Sequence, residues 1–366
     1  MDKHLPKPSD EALKHSERLV AQIRASMQDG SISFADYMQQ CLYAPGLGYY
    51  VAGSQKFGEA GDFITAPMIS PLYSYTLAQS IMPTLQSTQG AILELGAGNG
   101  QMAADILSYL QTQGDTTTEY LILEVSPDCQ AQQKATLEKQ IPEALERVTW
   151  LQRLPEDFKG VMLANEVLDA MPVHLFRYQE QELLERRVIW QDNCFDFSDE
   201  PMQDEVLRLA IAGLPLTEQD KDDYISEINL TLPIFARSLI AKLQQGMIVF
   251  ADYGFLQDVY YHHDRKQGTL MCHYRHHAHA DPFIYPGLQD ITAHVDFTKV
   301  GETALHCGLQ VSFDSQAEYL LSHGLLDLAA TEDTEQQLRY SQQIQKLVQA
   351  HEMGELFKVM CLFKKL

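Results

Sequence analysis

The chain has 366 residues, room for two units of ordinary size or one large elaborated domain, and its 45% hydrophobic and 21% charged residues exclude a disordered, collagenous or coiled-coil protein. Lys plus Arg number 27 against 50 Asp plus Glu, a formal charge of -23, which argues against nucleic acid or an anionic membrane surface and favours a cationic protein partner steered in by the field. Six scattered cysteines without a CxxC pair (Cys41, Cys129, Cys194, Cys272, Cys307, Cys361) fit a reducing cytosol, so the expected location is cytoplasmic; Met1 to Asp10 lacks the apolar run of a secretory signal, and no apolar stretch is long enough for membrane insertion.

In chain order, Glu11 to Met27 has helical spacing and Ser33 to Leu42 opens a second helix, before a Pro- and Gly-rich run from Pro45 to Gly61. From Ala91 the pattern alternates. A strand at Ala91 to Leu95, a helix at Met102 to Leu110 and a strand at Tyr120 to Val125 are followed by strands at Val148 to Leu151, Gly160 to Asn165 and Gly246 to Tyr253. Such alternation predicts an α/β fold with a parallel sheet and crossover helices. His174 to Phe197 reads as a hairpin, Pro201 to Gln244 as acidic and then helical, and the two together as an insertion. Two last strands, Leu309 to Phe313 and Phe357 to Phe363, flank helical material from Ala317 to His351. The expected organisation is an N-terminal helical region with a lid loop (1–90), a core in two parts (91–173 and 246–366, the latter with a lid segment at 254–300) and an insertion (174–245).

In an open α/β sheet the ligand crevice lies outside the carboxyl ends of the strands, so Glu124, Asn165, Glu166 and Asp252 should gather along one rim. There too lies Glu94-Leu-Gly-Ala-Gly-Asn-Gly, between a strand and a helix. Gly96, Gly98 and Gly100 let backbone approach a ligand beside unpaired helix amides, and Glu124, closing the next strand, stands where an acid would grip ribose hydroxyls. The third glycine comes one residue early for a dinucleotide, and Gln101 occupies the place of the final Gly or Ala, so the spacing favours S-adenosylmethionine over a nicotinamide or flavin; no Gly-Lys-Ser/Thr follows to make a P-loop. Asp157, after the third strand, is placed to receive the adenine amino group or is simply a solvated turn.

Together with that loop, the runs Gly58-Glu-Ala-Gly-Asp-Phe-Ile-Thr-Ala-Pro, Ala164-Asn-Glu-Val-Leu-Asp-Ala-Met-Pro-Val and Gln289-Asp-Ile-Thr-Ala-His-Val-Asp-Phe resemble the MidA family of S-adenosylmethionine-dependent methyltransferases, whose mitochondrial members assist complex I assembly. The resemblance spans roughly Ser33 to Leu366. It implies a Rossmann-like class I methyltransferase sheet with added substrate-side elements, S-adenosyl-L-methionine as cofactor, a lid over it from Gly61, Asp62, Phe63 and Thr65, and protein arginine N-methylation, with a respiratory-complex subunit as a candidate client. The chain departs from the family pattern at Met68, where a glutamate is usual.

A guanidinium approached by a sulfonium needs carboxylates to cancel its charge and hold one nitrogen in line. Glu166 and Asp169, three apart, would share a helix face and clasp one fork, or merely complement a helix dipole. Asp290 and His294, at i and i+4 of a helix, are candidates for the base and for acceptor binding, though Asp290 could equally start that helix. His262, His263, His273, His276, His277 and His279 lack the company of a CxxC or HExxH, so no metal is expected; with Tyr260 and Tyr261 they read as a polar lid. The expected function is methyl transfer to a partner protein's arginine; the alternatives are a small-molecule methyltransferase or a non-catalytic assembly factor that keeps the cofactor fold. The insertion offers a surface for a homodimer.

Overall fold

The computed structural model describes residues 5–51 and 65–364. Gly61, Asp62 and Phe63 of the expected lid lie outside the described residues. The chain divides into two units, each discontinuous in sequence: the first takes Met1–Phe63, Asp169–Leu232 and Phe255–Asp296, the second Ile64–Leu168, Pro233–Gly254 and Phe297–Leu366. This cuts across the expected organisation, since helix α1 (Pro71–Thr88), expected in the N-terminal region, packs Leu72, Tyr73, Leu77 and Ile81 into the core of the second unit.

Seven strands build that unit's sheet: β1 (Ala91–Leu95), β2 (Tyr120–Leu123), β3 (Val148–Leu151), β4 (Phe158–Asn165), β5 (Leu243–Phe255), β6 (Gln310–Ser315) and β7 (Phe357–Lys364). They run in the order β3-β2-β1-β4-β5-β7-β6. The first five are mutually parallel, and β7 enters antiparallel between β5 and β6. Helices cover the parallel strands, which is why Val161 to Ala164 and Met247 to Ala251 are unbroken buried runs. Helix α2 (Gln101–Thr112) links β1 to β2, and α3 (Pro127–Gln140), with Pro127 in its first turn and the Ser126 hydroxyl accepting from the Cys129 amide, leads towards β3. Fully burying a side chain such as Ile106 or Leu110 of α2 contributes about 2 kcal/mol each.

The first unit holds helices Asp10–Ser26 and Phe34–Tyr43 and an antiparallel sheet in which Glu182–Gln191 pairs with His174–Gln179, Cys194–Pro201 and Ser31–Ser33. Both hairpins turn on two residues of positive φ, Glu180-Gln181 and Asp192-Asn193, the geometry that suits strand twist. The expected hairpin is thus three strands, and the segment expected to be acidic and then helical contributes a further one, Asp223–Ile228, paired with His174–Gln179. Tyr37, Phe195 and Phe283 pack edge-on beneath it, with ring centroids 5.3 and 5.4 Å from Tyr37. A small sheet of Met271–Tyr274, His277–His279 and Asp290–Thr292 completes the unit.

Candidate functional site

In the second unit the strand order reverses between β1 and β4, the switch point at which open α/β sheets bind ligands. Leu95 pairs with Ala164 and with Leu123, so Gly96, Asn165 and Glu124 leave the sheet side by side. The glycine loop has positive φ at Gly96, Gly98 and Gly100. A Cβ on Gly98 would meet nothing within 4 Å, so its backbone faces open space; one on Gly100 would lie 3.0 Å from the Gln133 Cα of α3. Asn99 accepts from the Gln101 amide at 3.0 Å, and the Gln101 side chain reaches Asp105 and Gln140, a use that explains why glutamine stands there.

Glu124 is half-buried. Its Oε1 accepts from the Ser126 amide at 2.8 Å and its Oε2 from Gln133 at 3.2 Å, which leaves lone pairs for a diol. Beside it Val125 exposes an apolar side chain. Glu94, by contrast, is buried in β1, accepts from the Tyr120 hydroxyl at 2.8 Å, and has its carboxyl pushed up to about 7 by burial. Asp157 is not brought to this rim: with φ of 50° it precedes β4 and lines a groove with Gly90, Ala91, Gln113 and Lys159, at the strands' amino ends. The loop after β3 is short, so the chain has already returned across the sheet by Asp157.

Along the same rim, Asn165 accepts from the buried Tyr73 hydroxyl at 2.6 Å, and Glu166, with φ of 51°, donates its amide to Ala251 O at 2.8 Å. The expected helix carrying Glu166 and Asp169 does not form. Asp252, buried in β5, accepts the amides of Val167 and Leu168 at 3.1 and 2.8 Å, so a distant carboxylate holds this stretch as a loop, and the helix-dipole alternative falls with the helix. Burial, and then Glu166, raise the Tyr73 hydroxyl well above its ordinary value, so it stays a donor. Thr65 stands before the short helix Ala66–Ile69, on which Met68 is 47% exposed.

Asp169 and Asp290 belong to the first unit, and both are buried. The Tyr50 hydroxyl lies 2.9 Å from both Asp290 oxygens, Tyr43 stacks on Tyr50 with centroids 5.5 Å apart, and the Asp169 carbonyl accepts from the Ala293 amide at 3.0 Å. Burial, followed by Asp290 and Asp169, raises both tyrosine hydroxyls. Two carboxylates and two protonated tyrosines thus form one cluster. Asp290 is in a strand, not a helix: Ile291 and Thr292 are β-branched and pair with Met271–Tyr274, so the i, i+4 pairing with His294 is lost. His294 donates its amide to Thr269, packs edge-on against Phe255, and is lowered to about 4 by burial and then Arg265, so its ring is neutral near pH 7. Tyr260 and Tyr261 do not line a lid; they are core residues bonded to Glu227. Among the described residues His262, His263 and Asp264 bring their ligand atoms within 4.8 Å of one another, all exposed.

Tyr43, Tyr50, Tyr73 and Gln133 escaped the sequence reading. Only the aromatic richness near Tyr49-Tyr50 signalled any of them.

A family model described as S-adenosyl-L-methionine-dependent methyltransferase matches residues 76–313. The chain belongs to this family. As a methyltransferase it has a solved relative from Burkholderia thailandensis, crystallised bound to S-adenosyl-homocysteine, that is 43% identical with a TM-score of 0.92 over 98% of this chain and 95% of the other. The human "Protein arginine methyltransferase NDUFAF7, mitochondrial" is 29% identical over 376 residues, 91% of this chain and 80% of the human one. Its Drosophila melanogaster homolog, also named mitochondrial, is 27% identical over 411 residues, 99% of this chain and 88% of the fly protein. The cofactor is S-adenosylmethionine, in agreement with the glycine spacing. The cytoplasmic expectation is overturned: the human and fly relatives are named mitochondrial, and scattered thiols report only reducing conditions, not a compartment. No helix among the described residues is long and apolar enough to cross a membrane.

Proposed function

We propose that this methyltransferase acts on an arginine side chain of a partner protein. The observation that carries the reading is the Asp290 cluster, whose carboxylate is held by Tyr50 and accompanied by buried Asp169. A guanidinium is charged at every physiological pH, and only fixed carboxylates make its approach to a second cation favourable. S-adenosylmethionine, when bound, supplies an electrophilic methyl group on a sulfonium. For this chain's residues, the open backbone at Gly98 would bind its amino-acid end, Glu124 the ribose diol and Val125 the adenine face. Asn165, oriented by Tyr73, would position the ligand at the rim, and Glu166 would orient the acceptor nitrogen in line. Asp169 and Asp290 are assigned, on the chemistry of their carboxylates alone, to the guanidinium, and the proton lost on transfer would pass to a carboxylate and on to water.

The names of the human and fly relatives support an arginine acceptor, and the MidA resemblance supports a respiratory-complex subunit as the client. A homodimer through the 174–245 insertion is a separate proposal, checked by analytical ultracentrifugation. The function is tested by incubating the protein with methyl-tritiated S-adenosylmethionine and a mitochondrial extract, hydrolysing the product and separating the methylated amino acids. Label in methylarginine, lost in Glu166→Gln and Asp290→Asn while S-adenosylhomocysteine still binds, is expected. Label in low-molecular-weight compounds would instead identify a small-molecule enzyme.

A further inference from the structure

Helix α3 turns two side chains wholly inward, Leu137 and Gln133. Leu137 joins the core. Gln133, equally buried, is an amide with three partners: its Nε2 donates to the Gly98 carbonyl at 3.1 Å and to Glu124 Oε2 at 3.2 Å, and its Oε1 accepts from the Trp150 indole at 2.9 Å. The orientation is forced, because a flipped amide would set its oxygen against two acceptors and its NH2 against an N–H. We infer that Gln133 is a positioning residue for the cofactor: one buried side chain locks the glycine loop and the ribose-binding acid in register and ties both to Trp150. The inference rests on the cofactor reading of Gly98 and Glu124.

Without Gln133, the Glu124 carboxylate keeps only its bond to the Ser126 amide and turns about it, and the Gly98 carbonyl loses its side-chain donor. The ligand would then have to order groups that the free protein now holds in place, and binding weakens by that cost. The contact is tight as well as polar, since α3 backbone at Gln133 stands where a Cβ on Gly100 would go.

The chain has two tryptophans, so Trp190→Phe leaves Trp150 as the sole tryptophan, excited selectively at wavelengths beyond tyrosine absorption. In that full-length background, S-adenosylhomocysteine binding is measured by calorimetry and by Trp150 fluorescence for Gln133→Met, Glu124→Gln and the double variant. Gln133→Met should bind about tenfold more weakly, as expected for loss of a charge-assisted bond, and should lose the emission change on binding. Because Gln133 acts in part through Glu124 and in part through Gly98, adding Gln133→Met to Glu124→Gln should cost less than it does alone, about threefold. A merely structural role would lower thermal stability without this coupling. Trp150→Phe, which frees the amide but retains it, gives a second test read by calorimetry alone, with a loss of about threefold expected. Wild-type affinity in Gln133→Met, or in Trp150→Phe should Gln133→Met not fold, or fully additive losses in the double variant, overturns the inference and leaves the cofactor reading standing. A well-folded parent that does not bind S-adenosylhomocysteine overturns both.

Discussion

Replacing Glu94 by Gln should stabilise the second unit at pH 8 and leave it almost unchanged at pH 4.5. Glu94 is 2% exposed, and burial lifts its carboxyl from 4.5 to about 7, with the Tyr120 hydroxyl pulling the other way. A carboxyl with a folded value above its unfolded one contributes stability that is fully present below 4.5 and lost as pH climbs through about 7, since over that window the unfolded chain releases a proton that the folded chain keeps. The interval corresponds to about 3 kcal/mol. Glutamine cannot ionise and still accepts from Tyr120. Asp105, lifted to about 6 by burial, is common to both proteins and cancels. Urea unfolding followed through Trp150, in the Trp190→Phe background, measures the gap at pH 4.5, 6 and 8. It should open between the first two values and level off above 7. A gap independent of pH would show that the Glu94 carboxyl is not held neutral by its burial.

Asp252→Ala removes the acceptor for the buried amides of Val167 and Leu168; a loss of about 2–4 kcal/mol in urea unfolding is expected, with methyl transfer falling further because the loop that follows Glu166 is no longer held. Tyr50→Phe takes from Asp290 its hydroxyl donor, and should cost about 1 kcal/mol of stability and at least tenfold in turnover while S-adenosylhomocysteine affinity, read by calorimetry, stays the same.

The parallel strands were legible because both faces are covered, and their apolar runs end in polar residues along one rim. The place of β7 was not, since nothing local tells a strand to enter between two earlier ones. Spacing of three between Glu166 and Asp169 suggested a helix face, but the amides that such a helix would use are taken by Asp252, 84 residues beyond Leu168. Asp290 and His294 failed likewise: extended pairing with Met271–Tyr274 overrode an i, i+4 reading. Tyr50 and Asp290 are 240 residues apart, and no periodicity reports such a contact. Gln133 was hidden by its own helix, whose mostly polar surface gave a buried glutamine nothing to stand out against.

Strand β5 lies between β4 and β7, and β7 is made long after both β4 and β5. During vectorial synthesis β4 and β5 are complete long before Phe357–Lys364 leaves the ribosome, and until then Met247, Ile248, Val249 and Phe250 present an unpaired apolar edge to the cell. Each nascent chain therefore passes through a stage at which a second nascent chain can take the place of its own Phe357–Lys364 strand. A nonsense codon between Tyr340 and Phe357 would remove all of β7 and none of the glycine loop or rim residues, yet leave every copy at that stage, so such alleles should act through aggregation before they act through lost methyl transfer.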